Sequence, residues 1–594
     1  MTVAGLLLAG FGYVGFRLFD LQVTRHEELA QEASRKHEKK IVLPAVRGSI
    51  LDRNENQLAH SVAAKVVAID PQCVREQDLK RSKAGRPSMK EELAAVLSEQ
   101  LGLPRLEIDL KLLDSRRYVV LKRKVLQEET GQLAQILRER KLQGVIFDED
   151  QVRTYPNSAL MSHVLGYVNS EGRGMDGVEL LMQQELQGQN GWRRTECDRQ
   201  GREIVVFRNE DFSPTHGYNV MLTLDQVIQS ITEQELDKAV QKCLPDGAVA
   251  IVTRPSTGEV LAITSRPTFD PMAADKKIET LRNRALTDMI EPGSTYKTVA
   301  VAAALDQRIV TLDDRIYCEN GKFLYAGRYL NDHEPYGMLT VAEVLMHSSN
   351  IGAAKIALLL GKERMHRAML DFGFGARTFD EGRGRGWPGE IRGVVHPLRD
   401  WSKVSITRVA MGHEVGVTPM QMVNAIAAIA NGGNLMRPQI IRRVVDGNGR
   451  VIREFFPQVR RRVVDPNAAH AMTDALCRVV SMTGTAQKAM VPGFSVAGKT
   501  GTAQKVVNGE YVHDQFFSSF CGYFPAEDPA LCIYVMFDNP KGKEYYGGAV
   551  AAPVFREIAI RTASYLNLRP TQPIVAASDE SKGLLRAAGK RRVP

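Results

Sequence analysis

Cysteine is scarce in this sequence, and its placement excludes several kinds of site. The seven cysteines are scattered, no C-x-x-C pair occurs, and none has a histidine nearby at metal-ligand spacing. An odd number of scattered cysteines argues against a disulfide framework and against a thiolate metal centre. Cys521 and Cys532 fall on two predicted strands that could be neighbours, where we expect two buried free thiols. No metal site is visible.

A complete membrane span is also lacking. Residues 3–16 are uncharged and mostly apolar, but a transmembrane helix needs about 20 such residues. The segment has the length of a signal-peptide core, yet no small-x-small cleavage site follows it. Basic residues follow the segment and none precedes it, so the positive-inside rule taken literally would leave the bulk of the chain in the cytoplasm. We infer instead that a basic head precedes the recorded start and that residues 1–23 are the remainder of an uncleaved anchor.

Nucleic-acid signatures are missing as well. The net charge is +9, which suits nucleic acid, anionic lipid or an anionic polymer. The basic residues are spread out, and no zinc-finger spacing, Walker loop or aromatic-basic RNA motif accompanies them. We therefore expect no nucleic-acid partner. With 594 residues the chain is too long for one core, and three or four domains are expected.

The first part of the chain has a mixed α/β pattern. The run R-G-S-I-L-D-R-N at residues 47–54 predicts a strand entering a turn. It offers no nucleophile, so we interpret it as structural. The charged stretch at residues 74–90 indicates a surface insertion before a helix. Residues 571–594 begin polar and end in a basic stretch, and we expect a disordered tail.

A second domain is predicted from about Gly217 onward. Two apolar strands, residues 248–253 and 259–264, are followed by a long helical region in which Thr418 caps a helix. Strand patterns return at residues 516–523 and 531–537, after a shorter one near residue 496. Two early strands, intervening helices and three late strands predict one antiparallel sheet with helices on its faces.

Three short motifs carry the chemistry. At residues 291–297, E-P-G-S-T-Y-K precedes an apolar run, so Ser294 could open a buried helix with Lys297 on the same face, within reach of its hydroxyl. Ser348 and Asn350 supply a hydroxyl and an amide in a turn between helices. Lys499 begins K-T-G-T at a strand end, where Thr500, Gly501 and Thr502 form an edge suited to a carboxylate. Each motif is weak alone, but the ordered set is that of penicillin-binding proteins and class A β-lactamases.

The sequence resembles a class B penicillin-binding protein over nearly its full length. The motifs that carry the resemblance are R-G-S-I-L-D-R-N, R-T-Y-P at residues 153–156, G-V-E at 177–179, N-R-A at 283–285, V-T-P-M-Q-M at 417–422 and Y-G-G at 546–548. The exit sequence R-L-F-D-L-Q-V at residues 17–23, and the lack of an extra C-terminal repeat domain, make it most similar to the division-specific septal type.

The resemblance implies an α+β fold in four parts. We expect a membrane anchor at residues 1–23, a non-catalytic α/β pedestal (dimerisation) domain at 24–215, a transpeptidase domain with a five-stranded antiparallel sheet at 216–570, and the basic tail at 571–594. It further implies a single-pass protein of the cytoplasmic membrane whose catalytic domain is extracytoplasmic, on the periplasmic side.

The roles implied by the resemblance follow the motifs. Ser294 attacks the penultimate D-Ala carbonyl of a pentapeptide stem, and a neutral Lys297 accepts its proton. Burial and the charge of Lys499 would both lower the pKa of Lys297. Ser348 relays protons, Asn350 orients Lys297, and the backbone N–H groups of Ser294 and Thr502 stabilise the oxyanion. Lys499, Thr500 and Thr502 hold the terminal carboxylate, beside Gly501, and no cofactor or metal is required.

The partners implied are peptidoglycan stem peptides, β-lactams, the membrane, a membrane-embedded glycosyltransferase of the shape and division type, and other divisome proteins. The rival functions are an elongation-type class B transpeptidase, a D,D-carboxypeptidase, and a non-enzymatic penicillin sensor or scaffold. A class A β-lactamase is disfavoured, because neither Leu-Asn pair, 330–331 or 566–567, has glutamate three residues before the leucine.

Overall fold

The computed structural model describes residues 2–29, 38–197, 203–379, 386–507 and 509–573. The chain divides into two compact units. The first comprises residues 1–49, 60–154 and 184–218, and the second residues 50–59, 155–183 and 219–594. Among the described helices none is both long and apolar enough to cross a membrane. Most of the basic tail, residues 574–594, lies outside the described residues.

The first unit is built from helices and antiparallel strands. Its helices are Thr2–Phe19, Pro71–Lys83, Met89–Leu101, Arg105–Leu112, Gln127–Glu139 and Gln183–Gln187, with a π-helical turn at Asp20–Thr24. One sheet pairs strand Gln57–Ile69 with Val119–Leu126 and Val145–Thr154. Another places Gly191–Cys197 between Glu38–Leu43 and Glu203–Phe212.

The predicted surface insertion at residues 74–90 is largely exposed but helical, and only its two ends reach the core. This stretch forms helix Pro71–Lys83 and the start of Met89–Leu101. Val74 and Met89 are each 1% exposed and belong to the hydrophobic core of the first unit. The charged side chains that dominate the stretch occupy the outer face of the helices, so composition alone concealed the apolar contacts.

The second unit contains the predicted antiparallel sheet. Its five strands, in spatial order, are Val260–Arg266, Gly247–Thr253, Leu531–Asp538, Glu510–Phe524 and Ala497–Val507. All their pairings are antiparallel. Every residue of Gly247–Thr253 and Leu531–Asp538 is buried, so both faces of the sheet centre are covered. The fold-class prediction is confirmed, and Ala497–Val507, which carries Lys499, is an edge strand.

Helices cover this sheet. Gln226–Cys243 and Ala552–Tyr565 pack on each other and on the sheet, and Pro419–Ala430 packs on its central strands. Thr418 caps the last of these in a capping box with Gln421, as predicted. The longer of the remaining helices are Lys297–Asp306, Val341–Met346, Asn350–Leu360, Lys362–Asp371, Ser405–Ala410 and Pro466–Val479. The shorter ones are Ser162–Leu165, Gly177–Leu181, Ile278–Leu281, Arg284–Thr287 and Gly547–Val550.

Small strand pairs complete the second unit. Ile50–Leu51, Asn219–Leu222, Ile441–Val445 and Val451–Glu454 join in one ladder. The two-stranded pairs are Arg315–Tyr317 with Met338–Thr340, Lys322–Tyr325 with Arg328–Asn331, Val394–Val395 with Val415–Gly416, and Asn434–Met436 with Val459–Arg462.

Cys521 and Cys532 lie on the paired strands Glu510–Phe524 and Leu531–Asp538, and both are free and buried, as predicted.

Asp52 shows what the R-G-S-I-L-D-R-N run does. Its fully buried carboxylate accepts hydrogen bonds from the backbone N–H of Asn54 and Asn56, both at 2.8 Å, and of Gln226 at 3.1 Å. The Asn56 amide adds a fourth at 3.0 Å. The carboxylate therefore ties the turn after strand Ile50–Leu51 to the start of helix Gln226–Cys243, which agrees with the structural interpretation.

Asp52→Ala should destabilise the second unit by about 3 kcal/mol, since buried donors would lose their acceptor. Asp446→Ala is the matched control: Asp446 also accepts two backbone N–H groups, from Asn448 and Arg450 at 2.9 Å, but in an exposed turn. There water can replace the carboxylate, and the cost should stay near 1 kcal/mol. Denaturant titration of both variants measures the difference; equal losses would show that Asp52 is not special.

Candidate functional site

Ser294 sits where the chain turns into a buried helix. Residues Gly293–Tyr296 form a single 3₁₀ turn, and the α-helix begins only at Lys297 and runs to Asp306. The helix is thus shifted from the predicted start at Ser294, although the apolar run after it is buried as predicted. Ser294 is partly exposed, whereas Lys297 is completely buried.

A close approach between two segments explains the glycine before Ser294. Gly293 has φ 57°, a left-handed conformation that favours glycine. A Cβ there would lie 3.0 Å from the Cβ of Ala503 and 3.2 Å from the carbonyl oxygen of Thr502. The turn that carries Ser294 therefore packs directly on the edge strand Ala497–Val507, which brings the first and third motifs together.

The amine of Lys297 is held by the second motif. Its Nζ donates to the backbone carbonyl of Ser348 at 2.5 Å, to Ser348 Oγ at 3.2 Å and to Asn350 Oδ1 at 2.8 Å. These three acceptors match the three donors of an ammonium group. The predicted orientation of Lys297 by Asn350 agrees with this geometry.

Ser348 links both lysines. It lies between helices Val341–Met346 and Asn350–Leu360, with φ 58°. A non-glycine residue in this conformation is strained by about 1–3 kcal/mol, and such strain concentrates at functional sites. Its Oγ accepts from Lys499 Nζ at 3.0 Å as well as from Lys297. With both lone pairs engaged, the hydroxyl proton remains available for donation, which is the arrangement a proton relay requires.

Lys499 is as deeply buried as Lys297. It is 0% exposed, and besides Ser348 its Nζ contacts the carbonyl oxygen of Thr500 at 3.3 Å. Ser348 thus bridges the amines of two buried lysines from separate motifs. In the described part of the chain neither amine has a carboxylate within salt-bridge distance.

Burial governs the charge of this pair. It lowers the pKa of Lys297 to about 7, with the negative charge of Asp332 opposing the shift. Burial also lowers the pKa of Lys499 well below its ordinary value, and the positive charge of Lys297 adds to that shift. The prediction that Lys297 is a neutral-pH base agrees with this environment. The predicted repulsion between the two lysines is present as well: after burial, the positive charge of Lys297 lowers the pKa of Lys499.

The predicted carboxylate-binding edge lies beside the lysines. Thr500 is nearly buried, with its hydroxyl 3.5 Å from that of Thr485. The partly exposed Thr502 accepts the N–H of Gly547 through its hydroxyl at 3.1 Å. A Cβ on Gly501 would lie 2.5 Å from Ser519 Oγ and 3.0 Å from the Pro292 carbonyl oxygen. Gly501 therefore leaves room for the turn before Ser294 to lie against the edge strand.

One expected contact is not made. The hydroxyl of Ser294 has no hydrogen bond to any residue that the structure describes, because the Lys297 amine is directed to Ser348 and Asn350. Apo sites often tighten only when substrate binds. Across the same described residues there is no cluster of three or more His, Cys, Asp or Glu side chains that could hold a metal ion.

Two acidic residues near the site were missed from the sequence. Asp332 accepts hydrogen bonds from the segment that contains Asn350. Glu291 accepts the backbone N–H of Glu414 at 2.9 Å and contacts His413 Nδ1 at 3.0 Å, so it anchors the start of the turn that carries Ser294. Glu291 stood inside the first motif and could have been noticed. Asp332 has no local signal, since its partners are 17 to 19 residues away.

Comparison with known families gives two matches. The family described as penicillin binding protein transpeptidase domain matches residues 248–559, and the penicillin-binding protein dimerisation domain matches residues 42–222. Stage V sporulation protein D of Bacillus subtilis (strain 168) is 33% identical over 570 residues, covering 94% of this chain and 85% of the relative. Peptidoglycan D,D-transpeptidase FtsI of Escherichia coli (strain K12) is 29% identical over 573 residues, covering 96% and 92%.

Solved structures give the same result. A peptidoglycan synthetase from Bifidobacterium adolescentis superposes with TM-score 0.71 at 26% identity, covering 91% of this chain and 99% of the other. Penicillin binding protein 3 from Mycobacterium tuberculosis, complexed with aztreonam, superposes with TM-score 0.67 at 27% identity, covering 90% and 99%. The fold and the serine–lysine site define a serine acyltransferase with the transpeptidase fold. The chain belongs to the class B penicillin-binding proteins.

The rate of acylation of Ser294 by a β-lactam should rise with pH along a limb whose midpoint lies near 7, because only neutral Lys297 can accept a proton. Lys297→Arg keeps the positive charge but cannot supply a neutral base. It should lower the rate by about 10²–10⁴-fold at every pH. Stopped-flow acylation from about pH 5 to about pH 9 measures both effects. A rate in the native protein that is independent of pH would contradict the assignment.

Proposed function

We propose that this chain is a septal peptidoglycan D,D-transpeptidase that works through an acyl-serine intermediate and is inhibited covalently by β-lactams. The observation that carries the proposal is the convergence of Lys297, Ser348, Asn350 and Lys499 on one point beside Ser294, with the pKa of Lys297 lowered to about 7. Such a constellation supplies a nucleophile, a base that is half neutral at physiological pH and a relay.

In the acylation step Ser294 Oγ attacks the penultimate D-Ala carbonyl and its proton passes to neutral Lys297. The backbone N–H groups of Ser294 and Thr502 stabilise the oxyanion. Collapse of this tetrahedral intermediate breaks the D-Ala–D-Ala peptide bond. The leaving amine takes a proton from protonated Lys297, relayed by the Ser348 hydroxyl, and the carboxylate of the leaving D-Ala is held by Lys499, Thr500 and Thr502.

In the transfer step an amine from a second stem peptide attacks the ester. The amine gives up its proton to neutral Lys297, the new peptide bond forms, and Ser294 leaves as its hydroxyl. If water replaced the amine, the same site would act as a D,D-carboxypeptidase. The relatives named peptidoglycan D,D-transpeptidase favour the amine.

A sensor or scaffold would not need the buried lysines. Keeping two amines at 0% exposure is costly, and a chain without catalytic function would be expected to lose one of them. The elongation-type enzyme is the nearer rival. The septal assignment rests on the R-L-F-D-L-Q-V sequence at residues 17–23. The relative named FtsI, aligned over 96% of this chain, supports it.

The remaining proposals concern the domain boundaries, the cellular location and the partners of the chain. We expect the anchor at residues 1–23, the pedestal domain at 24–215, the transpeptidase domain at 216–570 and the tail at 571–594. The catalytic domain would lie on the extracytoplasmic, periplasmic side of the cytoplasmic membrane. There it would meet peptidoglycan stem peptides, a membrane-embedded glycosyltransferase and other divisome proteins.

Ser294→Ala should abolish covalent labelling by a fluorescent penicillin while the protein stays folded. The side chain is partly exposed and contributes little packing, so unfolding curves should be unchanged within about 0.5 kcal/mol. Intact-protein mass spectrometry after labelling gives the readout, with adduct mapping in the native protein. Ser230→Ala, at a partly exposed serine in helix Gln226–Cys243, is a serine control that should keep the adduct. An adduct that maps to another serine would refute the assignment of Ser294 as the nucleophile.

Residues from about 24 onward should lie outside the cytoplasmic membrane, despite the basic flank at residues 25–40, as the resemblance to anchored class B penicillin-binding proteins implies. A C-terminal reporter that is active only after export should be active. If a reporter that works only in the cytoplasm is active instead, the proposed topology is wrong and the literal positive-inside orientation holds.

A further inference from the structure

Asp332 lies directly after the hairpin Lys322–Tyr325 and Arg328–Asn331, and its carboxylate reaches the start of helix Asn350–Leu360. One oxygen accepts the backbone N–H groups of Asn350 and, at 3.0 Å, of Ile351. The other accepts the hydroxyl of Ser349 at 2.6 Å. The carboxylate thus holds three consecutive residues, directly after the strained Ser348.

The next residue back completes the hold on Asn350. The carbonyl oxygen of Asn331 accepts Nδ2 of Asn350 at 2.9 Å. Because the amide nitrogen is engaged there, the amide oxygen faces Lys297 Nζ at 2.8 Å. Asn350 therefore lies between Asp332 and the base Lys297. Asp332 holds its backbone N–H and Asn331 holds its side-chain amide, so its orientation is fixed.

The charge of Asp332 also acts on this region. It opposes the lowering of the pKa of Lys297. The other titratable groups nearby are Lys499, which shares Ser348 with Lys297, the thiol of Cys318 and the phenol of Tyr336. Burial raises the pKa of Cys318, and burial with Glu334 raises that of Tyr336 to about 12, with Asp332 contributing to both. Both groups are neutral at physiological pH. Beyond these groups lies Lys355, which forms a salt bridge with Glu319 at 2.6 Å.

We propose that Asp332 is a positioning residue of the acylation reaction: it fixes Asn350 and the Ser348 turn so that the Lys297 amine is correctly placed, and its negative charge sets the pH range in which that amine works. This inference rests on the proposed function. Asp332 contacts neither substrate nor nucleophile, and it acts through Asn350 and Lys297.

The rival explanation is a helix cap with no part in the reaction. Asparagine caps helices about as well as aspartate, so Asp332→Asn retains the cap and removes only the charge and one acceptor oxygen. Asp465→Asn is the matched control, since Asp465 caps helix Pro466–Val479 by accepting the N–H of Asn467 at 2.9 Å from an exposed position. Asp332→Glu restores the charge, and thermal unfolding of each variant reports on folding.

The experiment is the second-order rate of acylation by a fluorescent penicillin against pH for the native chain and the three variants. Asp332→Asn should lower the high-pH plateau by about ten- to a hundredfold, the loss typical of a misplaced catalytic group. It should also move the acid-limb midpoint downward, because a negative charge that favours protonated Lys297 is gone. Asp332→Glu should return the midpoint toward the native value, and Asp465→Asn should change neither quantity.

An Asp332→Asn midpoint equal to that of the native chain overturns the proposal, whether the plateau falls or not, because a purely structural role would leave the titration of Lys297 unmoved. If Asp332→Asn unfolds, Ser349→Ala gives the second test. It removes one partner of the carboxylate and keeps the charge, so the plateau should fall and the midpoint should stay; an unchanged plateau overturns the proposal. Failure of the native chain to be acylated would instead refute the proposed function.

Discussion

Everything at this site depends on keeping two lysine amines out of water, with no carboxylate of the described residues at salt-bridge distance. Lys297 and Lys499 are both 0% exposed, and both donate to the hydroxyl of Ser348. An uncompensated buried charge is expensive, so the amines respond by lowering their pKa values. Uncharged oxygens of Ser348, Asn350 and Thr500 accept the N–H donors of these amines, whether the amines are protonated or neutral. The same burial that costs stability therefore makes one lysine a base.

The sheet and the helices serve to hold these amines in place. Lys499 comes from an edge strand, Lys297 from the first turn of a buried helix, and Ser348 from a strained link between two helices. Gly293 and Gly501 let the nucleophile turn lie against the edge strand, and a Cβ on either would be too close to the opposite segment. Motifs more than 50 residues apart thus meet through backbone contact, which leaves little freedom for the reacting groups.

Sequence reasoning succeeded where the signal is local or is carried by a motif. The capping box at Thr418, the five-stranded sheet and the association of Lys297 with Ser348, Asn350 and Lys499 were all predictable. It failed where distant contacts decide. The start of the helix at Lys297 depends on how Gly293 packs on the edge strand. The burial of Val74 depends on tertiary contacts that a charged sequence conceals. The hold of Asp332 on Asn350 requires a hairpin that no short pattern reveals.

The central claim is that burial makes Lys297 a base near neutral pH. It is tested most directly by an NMR titration of lysine labelled at the ε-carbon, with the Lys297 resonance assigned by its loss in Lys297→Arg. We predict a single transition of that resonance with a midpoint near 7. An ε-carbon that titrates near the ordinary lysine value of about 10.4 would contradict the account, because the amine would then be protonated at physiological pH.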